Sequence, residues 1–167
     1  FGYADGENRQ SMKGQVKPYE KGNVDDDGYV DGLTARLAVQ KMGELSKRNQ
    51  PFFLGVGFFK PHLPFNAPSK YWDMYDESKI DLTPSPNIPE NVSKASLHQS
   101  SEFNGYRAGD ENATLEKPLS DAYARKVRHA YFAAVSYVDA QIGKVLDELN
   151  RLGLAENTIV VVWGDHG

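Results

Sequence analysis

The feature that most constrains this chain is a run of apolar residues near its end. Val127, Tyr131, Ala134, Val138, Ile142, Val145, Leu149 and Leu152 recur at steps of three and four. That period predicts one amphipathic helix over 120–152. Ser120 is placed to cap its start, and Asp121 suits the positive end of the helix dipole. Gly153 is a natural left-handed terminator, followed by Leu154 for the apolar contact that often accompanies one. Such a helix is roughly 45 Å long, against a radius of gyration of about 15 Å for a globule of this chain length. It therefore bends, with Gly143 as the expected place, or belongs to a larger body.

Two short apolar runs flank this region. Phe52-Phe53-Leu54-Gly55-Val56-Gly57-Phe58 and Thr158-Ile159-Val160-Val161-Val162-Trp163 each read as a strand buried on both faces. A strand, a long crossover and a second strand predict a parallel pair in an α/β sheet. Ligands of such sheets bind beyond the carboxyl ends of the strands. His62 follows the first run, and Asp165 and His166 follow the second, so a parallel pair would bring all three to one sheet edge.

The remaining segments are less regular. Residues 1–28 are polar and glycine-rich and read as loop, with Asp25, Asp26 and Asp27 as a solvated turn. Residues 31–48 predict a helix on the stripe Leu33, Leu37, Met42 and Leu45, stopped by Asn49-Gln50-Pro51. Residues 66–118 are rich in Pro, Asn, Ser and Gly, with a helical turn expected around Ser69–Tyr75. The stretch 80–118 is a loop of functional length.

Composition excludes several classes. A net charge of -4 does not suit a general nucleic-acid binder. The chain has no cysteine, hence no disulfide, thiolate metal site or cysteine nucleophile. No apolar run approaches the roughly 18 residues of a membrane span, and no targeting signal is visible at the start. A Gly-rich phosphate cradle and a Gly-x-Ser-x-Gly elbow are also missing.

Four residues carry candidate chemistry on their own. In Lys60-Pro61-His62-Leu63-Pro64 the prolines fix the direction of His62, a group able to meet an anion or hand over a proton. Lys60 adds a compact positive charge suited to sulfate or phosphate. Asp165-His166, between Gly164 and Gly167, offers a hard oxygen and an imidazole nitrogen as metal ligands. The bland alternatives are an ordinary loop histidine and a surface turn. His98, in a polar loop, and His129, within the long helix, lack this context and read as non-catalytic.

Together these segments resemble the type I sulfatases of the alkaline-phosphatase-like superfamily, particularly their iduronate-2-sulfatase-like branch. The resemblance is carried by Pro51 through Phe65, by Tyr131-Phe132-Ala133-Ala134-Val135-Ser136-Tyr137-Val138-Asp139, by Leu152 through Val160, and by Val162-Trp163-Gly164-Asp165-His166-Gly167. It covers about 31–167 and is least specific over 80–118. It implies a partial sulfatase-like α/β sandwich, with 1–167 as the central part of the catalytic domain and 1–30 as an irregular lead-in.

The resemblance also implies a calcium ion held by Asp165 and His166 with ligands from elsewhere, and His62, with Lys60 less firmly, at the sulfate. The implied nucleophile is a formylglycine made in a Cys/Ser-x-Pro-x-Arg motif, a pattern that does not occur in this sequence. The implied activity is hydrolysis of a sulfate ester, of a sulfated sugar or a related compound, in an exported or lysosome-like location. Expressed alone, the chain is expected to hydrolyse nothing. Two alternatives stay open: a phosphodiesterase or phosphonate monoester hydrolase of the same superfamily, and a non-catalytic binding module.

Overall fold

The computed structural model describes residues 2–48 and 50–165. Strand β1 (Tyr19–Gly22) leads through a short 3-10 turn (Asp26–Gly28) into helix α1 (Val30–Leu45). Strand β2 (Phe65–Pro68) runs into the one-turn helix α2 (Ser69–Trp72), and another single turn, α3 (Ser101–Asn104), interrupts the long loop. Helix α4 (Asp121–Arg151) is the spine. The chain is thus mixed α/β, a short parallel sheet flanked by helices.

α4 forms as its periodicity predicts, unbroken through Gly143. Ser120 Oγ accepts from Tyr123 N–H at 3.2 Å. At the other end Gly153 takes a φ of 68°. Its N–H donates to Asn150 O at 2.9 Å and that of Leu154 donates to Leu149 O at 3.1 Å, the paired bonds of a Schellman stop.

The buried stripe of α4 is rotated by about one residue from the purely apolar reading. Its deepest positions are Ala130, Ala133, Ala134, Tyr137 and Gln141. Small residues let α1 and β2 lie close against the helix, and the polar tips of Tyr137 and Gln141 find partners in the interior. Tyr137 Oη donates to Asp26 O at 2.8 Å and accepts from Gly32 N–H at 2.7 Å. At Gly32 an added Cβ would stand 2.0 Å from Asp26 O, so that approach requires glycine.

α1 departs from its expected stripe in the same way. Ala35, Ala38 and Met42 face inward, while Leu37 is 61% exposed. The close approach to α4 selects the small side chains and leaves Leu33 and Leu37 exposed, with Leu45 half-buried.

The sheet also differs from expectation. The parallel pair is β1 with β2, in the register Tyr19–Phe65 to Gly22–Pro68, so a strand forms within the segment read as loop. The two apolar runs form no ladder among the described residues. Phe53 is 94% and Ile159 93% exposed. Two-sided burial of a strand needs neighbours on both edges and a layer on each face, and the described residues provide neither. Along the first run exposure alternates, with Phe52, Leu54, Val56 and Phe58 half-buried, so only one side of that segment is covered.

The acidic turn is corrected too. Asp25 is exposed, but Asp26 is buried and its carboxylate gathers Lys144 Nζ at 2.6 Å, Lys70 Nζ at 2.7 Å and Tyr71 Oη at 3.0 Å. Above these polar groups lies an aromatic core of Tyr19, Tyr29, Tyr71, Trp72, Tyr123 and Tyr137, filled in by alanines of α4 and β2.

Candidate functional site

His62 sits on a tight turn directly before β2, where His62 N–H donates to Phe59 O at 3.0 Å. The peptide bonds before Pro61 and Pro64 are both cis. The ring is half-buried, and Nδ1 lies 2.8 Å from Leu63 O. A carbonyl only accepts, so Nδ1 carries the proton and donates. This leaves Nε2 as the nitrogen that can take up or release a proton.

Nε2 faces Glu102 of α3, whose Oε2 is 3.8 Å away. Glu102 is in turn 3.8 Å from Arg9, and the Arg9 guanidinium lies over the Tyr106 ring at 4.5 Å. The long loop therefore folds back on the N-terminal segment. Arg107 N–H donates to Gly14 O at 2.8 Å, and Leu63 packs on the small cluster of Tyr3, Val16 and Tyr106. No sequence pattern pointed to Glu102: it lies 40 residues from His62 in the least regular stretch.

Lys60 does not extend toward open solvent. Its Nζ donates to Pro64 O at 2.6 Å and His62 O at 3.2 Å. Burial pushes its ammonium down to about 8, partly countered by the Asp31 carboxylate. Asp31, in the first turn of α1, accepts from the N–H groups of Phe59 and Lys60, each at 2.9 Å. Nothing but its place in a helical first turn distinguished it in the sequence.

Asp165 is described and exposed in a bend after the second apolar run; His166 lies outside the described residues. No ladder forms there, so the sheet-edge argument that joined these residues to His62 has no support from the described strands. Aspartate is a hard donor that suits calcium. Among the described residues, however, no group of three or more His, Cys, Asp or Glu gathers around a common point.

The other two histidines are engaged structurally. The buried His129 has Nδ1 3.0 Å from Glu77 Oε2 and Nε2 2.9 Å from Trp72 O, tying α4 to the segment after α2. His98 Nδ1 accepts from Ser100 N–H at 2.9 Å.

The mixed α/β class is the one the sulfatase motifs implied, although His62 precedes a parallel strand here instead of following one. The Sulfatase family model matches residues 1–167. Iduronate 2-sulfatase of Mus musculus is 31% identical over 96% of this chain and 31% of its own length. A sulfatase of Formosa agariphila is 33% identical over 95% of the chain and 30% of its own length. Choline-sulfatase of Rhizobium meliloti is 31% identical over 82% and 26%. The chain belongs to the sulfatase family, and it spans about a third of the length of the curated relatives it matches. None of its described helices is long and apolar enough to cross a membrane.

Proposed function

We propose that the full-length protein hydrolyses a sulfate ester, with His62 as the group that meets the sulfate or its leaving oxygen. The observation that supports this best is the state of the His62 ring. Its Nδ1 proton is committed to Leu63 O, so proton exchange falls to Nε2. A protonated Nε2 can hand its proton to the leaving oxygen as the S–O bond breaks, and the neutral ring left behind keeps its orientation through Nδ1.

Formylglycine as nucleophile and calcium at Asp165 and His166 belong to the same proposal on the strength of the family motifs alone. Bound calcium would polarise the sulfate oxygens. Lys60 serves the site from behind, because its ammonium is turned into the loop. The ester is left open. Relatives named for iduronate 2-sulfate and for choline sulfate are each 31% identical. A sulfated sugar is our choice because the iduronate enzyme matches more of the chain. An exported or lysosome-like location belongs to this reading too.

The test is twofold. Mass spectrometry of the nucleophile peptide from the native full-length protein is expected to find formylglycine, and an aryl sulfate is expected to be cleaved. An unmodified threonine or serine, with turnover of a phosphodiester and none of a sulfate ester, would replace this reading with the phosphodiesterase one.

A further inference from the structure

The turn that carries His62 is held by two charged side chains, and both spend their hydrogen bonds on it. Asp31 is 1% exposed. One oxygen accepts from Phe59 N–H and the other from Lys60 N–H, each at 2.9 Å. Further along the same turn, Lys60 Nζ donates to the carbonyls of His62 at 3.2 Å and Pro64 at 2.6 Å. Asp31 is itself fixed to the core. Its neighbour Gly32 donates to Tyr137 Oη at 2.7 Å, and that hydroxyl donates to Asp26 O at 2.8 Å.

A buried carboxylate and a buried ammonium are costly unless fully hydrogen-bonded. An apolar pair would fill the same space without that cost. What an apolar pair cannot do is fix the backbone of 59–64 at four separate points. The bonds made by Asp31 and Lys60 converge on the residues either side of one imidazole. A shift of about 1 Å in a reacting group can cost roughly a hundredfold in rate, so a rigid turn has catalytic value where a merely stable one does not.

We propose that Asp31 and Lys60 are positioning residues for His62, fixing the backbone of its turn at Phe59 and Lys60 and at His62 and Pro64, and that neither touches the substrate. This rests on the reading of His62 as the substrate-side histidine.

The test uses Lys60→Met and Asp31→Asn in the full-length protein. The first keeps the stem of the side chain without donors, and the second offers an amide where two N–H groups need acceptors. Two readouts are taken: steady-state kinetics on an aryl sulfate, and the ring nitrogen shifts of His62 after 15N-histidine labelling. Leu149→Ala, a core truncation at the far end of α4, serves as the control for lost stability.

The expected result for Lys60→Met is a kcat lower by about tenfold to a hundredfold, with KM moving less than about threefold. The His62 nitrogens should lose the fixed Nδ1–H pattern and move toward the averaged shifts of a free ring. Leu149→Ala should lower Tm without either change. A raised KM at unchanged kcat would mean that Lys60 meets the substrate and would overturn the proposal. Unaltered His62 shifts in both variants would overturn it as well. If the wild-type protein cleaves no sulfate ester, the functional reading fails by itself, and the ring shifts still decide whether the bracket exists. Should Asp31→Asn fail to fold, Lys60→Met decides alone.

Discussion

Lys144 Nζ lies 2.6 Å from a carboxylate oxygen of Asp26, across 118 residues of sequence. With Lys70 and Tyr71 on the same carboxylate, this contact joins the turn before α1, helix α2 and the C-terminal half of α4. Burial alone would raise the pKa of Asp26, but the hydrogen bonds from Lys144, Lys70 and Tyr71 outweigh it and hold the pKa at about 2. Its pKa is thus lowered by folding, and the stabilisation is complete above the unfolded value near 3.8 and fades as pH falls toward 2. Asp26→Asn is expected to cost about 2 kcal/mol at neutral pH, below the range for fully buried pairs because both lysines are largely exposed. Urea titrations at pH 7 and pH 2.5 check this. The gap between wild type and variant should shrink at the lower pH, and a constant gap would mean that the carboxylate charge is not what matters.

His62→Ala in the full-length protein should lower kcat by about a hundredfold or more while raising KM much less, because transfer of a proton to the leaving oxygen is made only in the transition state. The loss should shrink for esters of acidic phenols, whose leaving oxygen needs no proton. A comparison of aryl sulfates of graded leaving-group acidity measures this. Equal losses across the series would leave His62 as a binding or loop residue.

Local signals in the sequence settled some elements and not others. The long helix, its Ser120 cap and its Gly153 stop were legible because capping and periodicity act within a few residues. The two apolar runs were expected to pair as strands and form no ladder among the described residues, because pairing depends on partners far away in the chain. The pair that does form, β1 with β2, includes Tyr19–Gly22, whose alternation is too short to stand out. Asp26 looked like a surface acid, and Asp31 did not stand out, because nothing local tells an acid in a solvated turn from one facing two lysines or two backbone donors. The same holds for Glu102, whose place beside His62 depends on a loop that returns across 40 residues. His62 itself was legible through its prolines, whereas the direction of the Lys60 side chain was not.

The exposed apolar runs set the behaviour of this chain in isolation. Phe53, Ile159, Val161, Val162 and Trp163 present an unpaired, strongly apolar backbone edge, the kind of surface that pairs with other chains. The isolated chain is expected to bind a hydrophobic dye and to associate with rising concentration. Phe53→Lys with Val161→Lys should reduce both effects while leaving the far-UV spectrum unchanged. Light scattering across a concentration series checks this, and a monodisperse wild-type monomer would show that these segments are covered in solution.

Lys60 offers a test of burial that needs no substrate. Folding lowers its pKa from 10.5 to about 8, chiefly through desolvation. Between those two values the unfolded chain binds the proton that the folded chain has released, so the stability of the wild type should rise with pH across this window. Below about 8 both states hold the proton and the burial penalty is constant. The neutral amine retains two donors, enough for His62 O and Pro64 O, so the bracket survives the change. Lys60→Met has no such group, and its stability should lack this increment. The measurement is the difference in unfolding free energy between wild type and Lys60→Met from pH 7 to pH 10.5, which removes the contributions of the tyrosines common to both. A difference that grows in favour of the wild type across that window would confirm a buried ammonium behind His62. A flat difference would place the Lys60 charge in solvent, free of the turn.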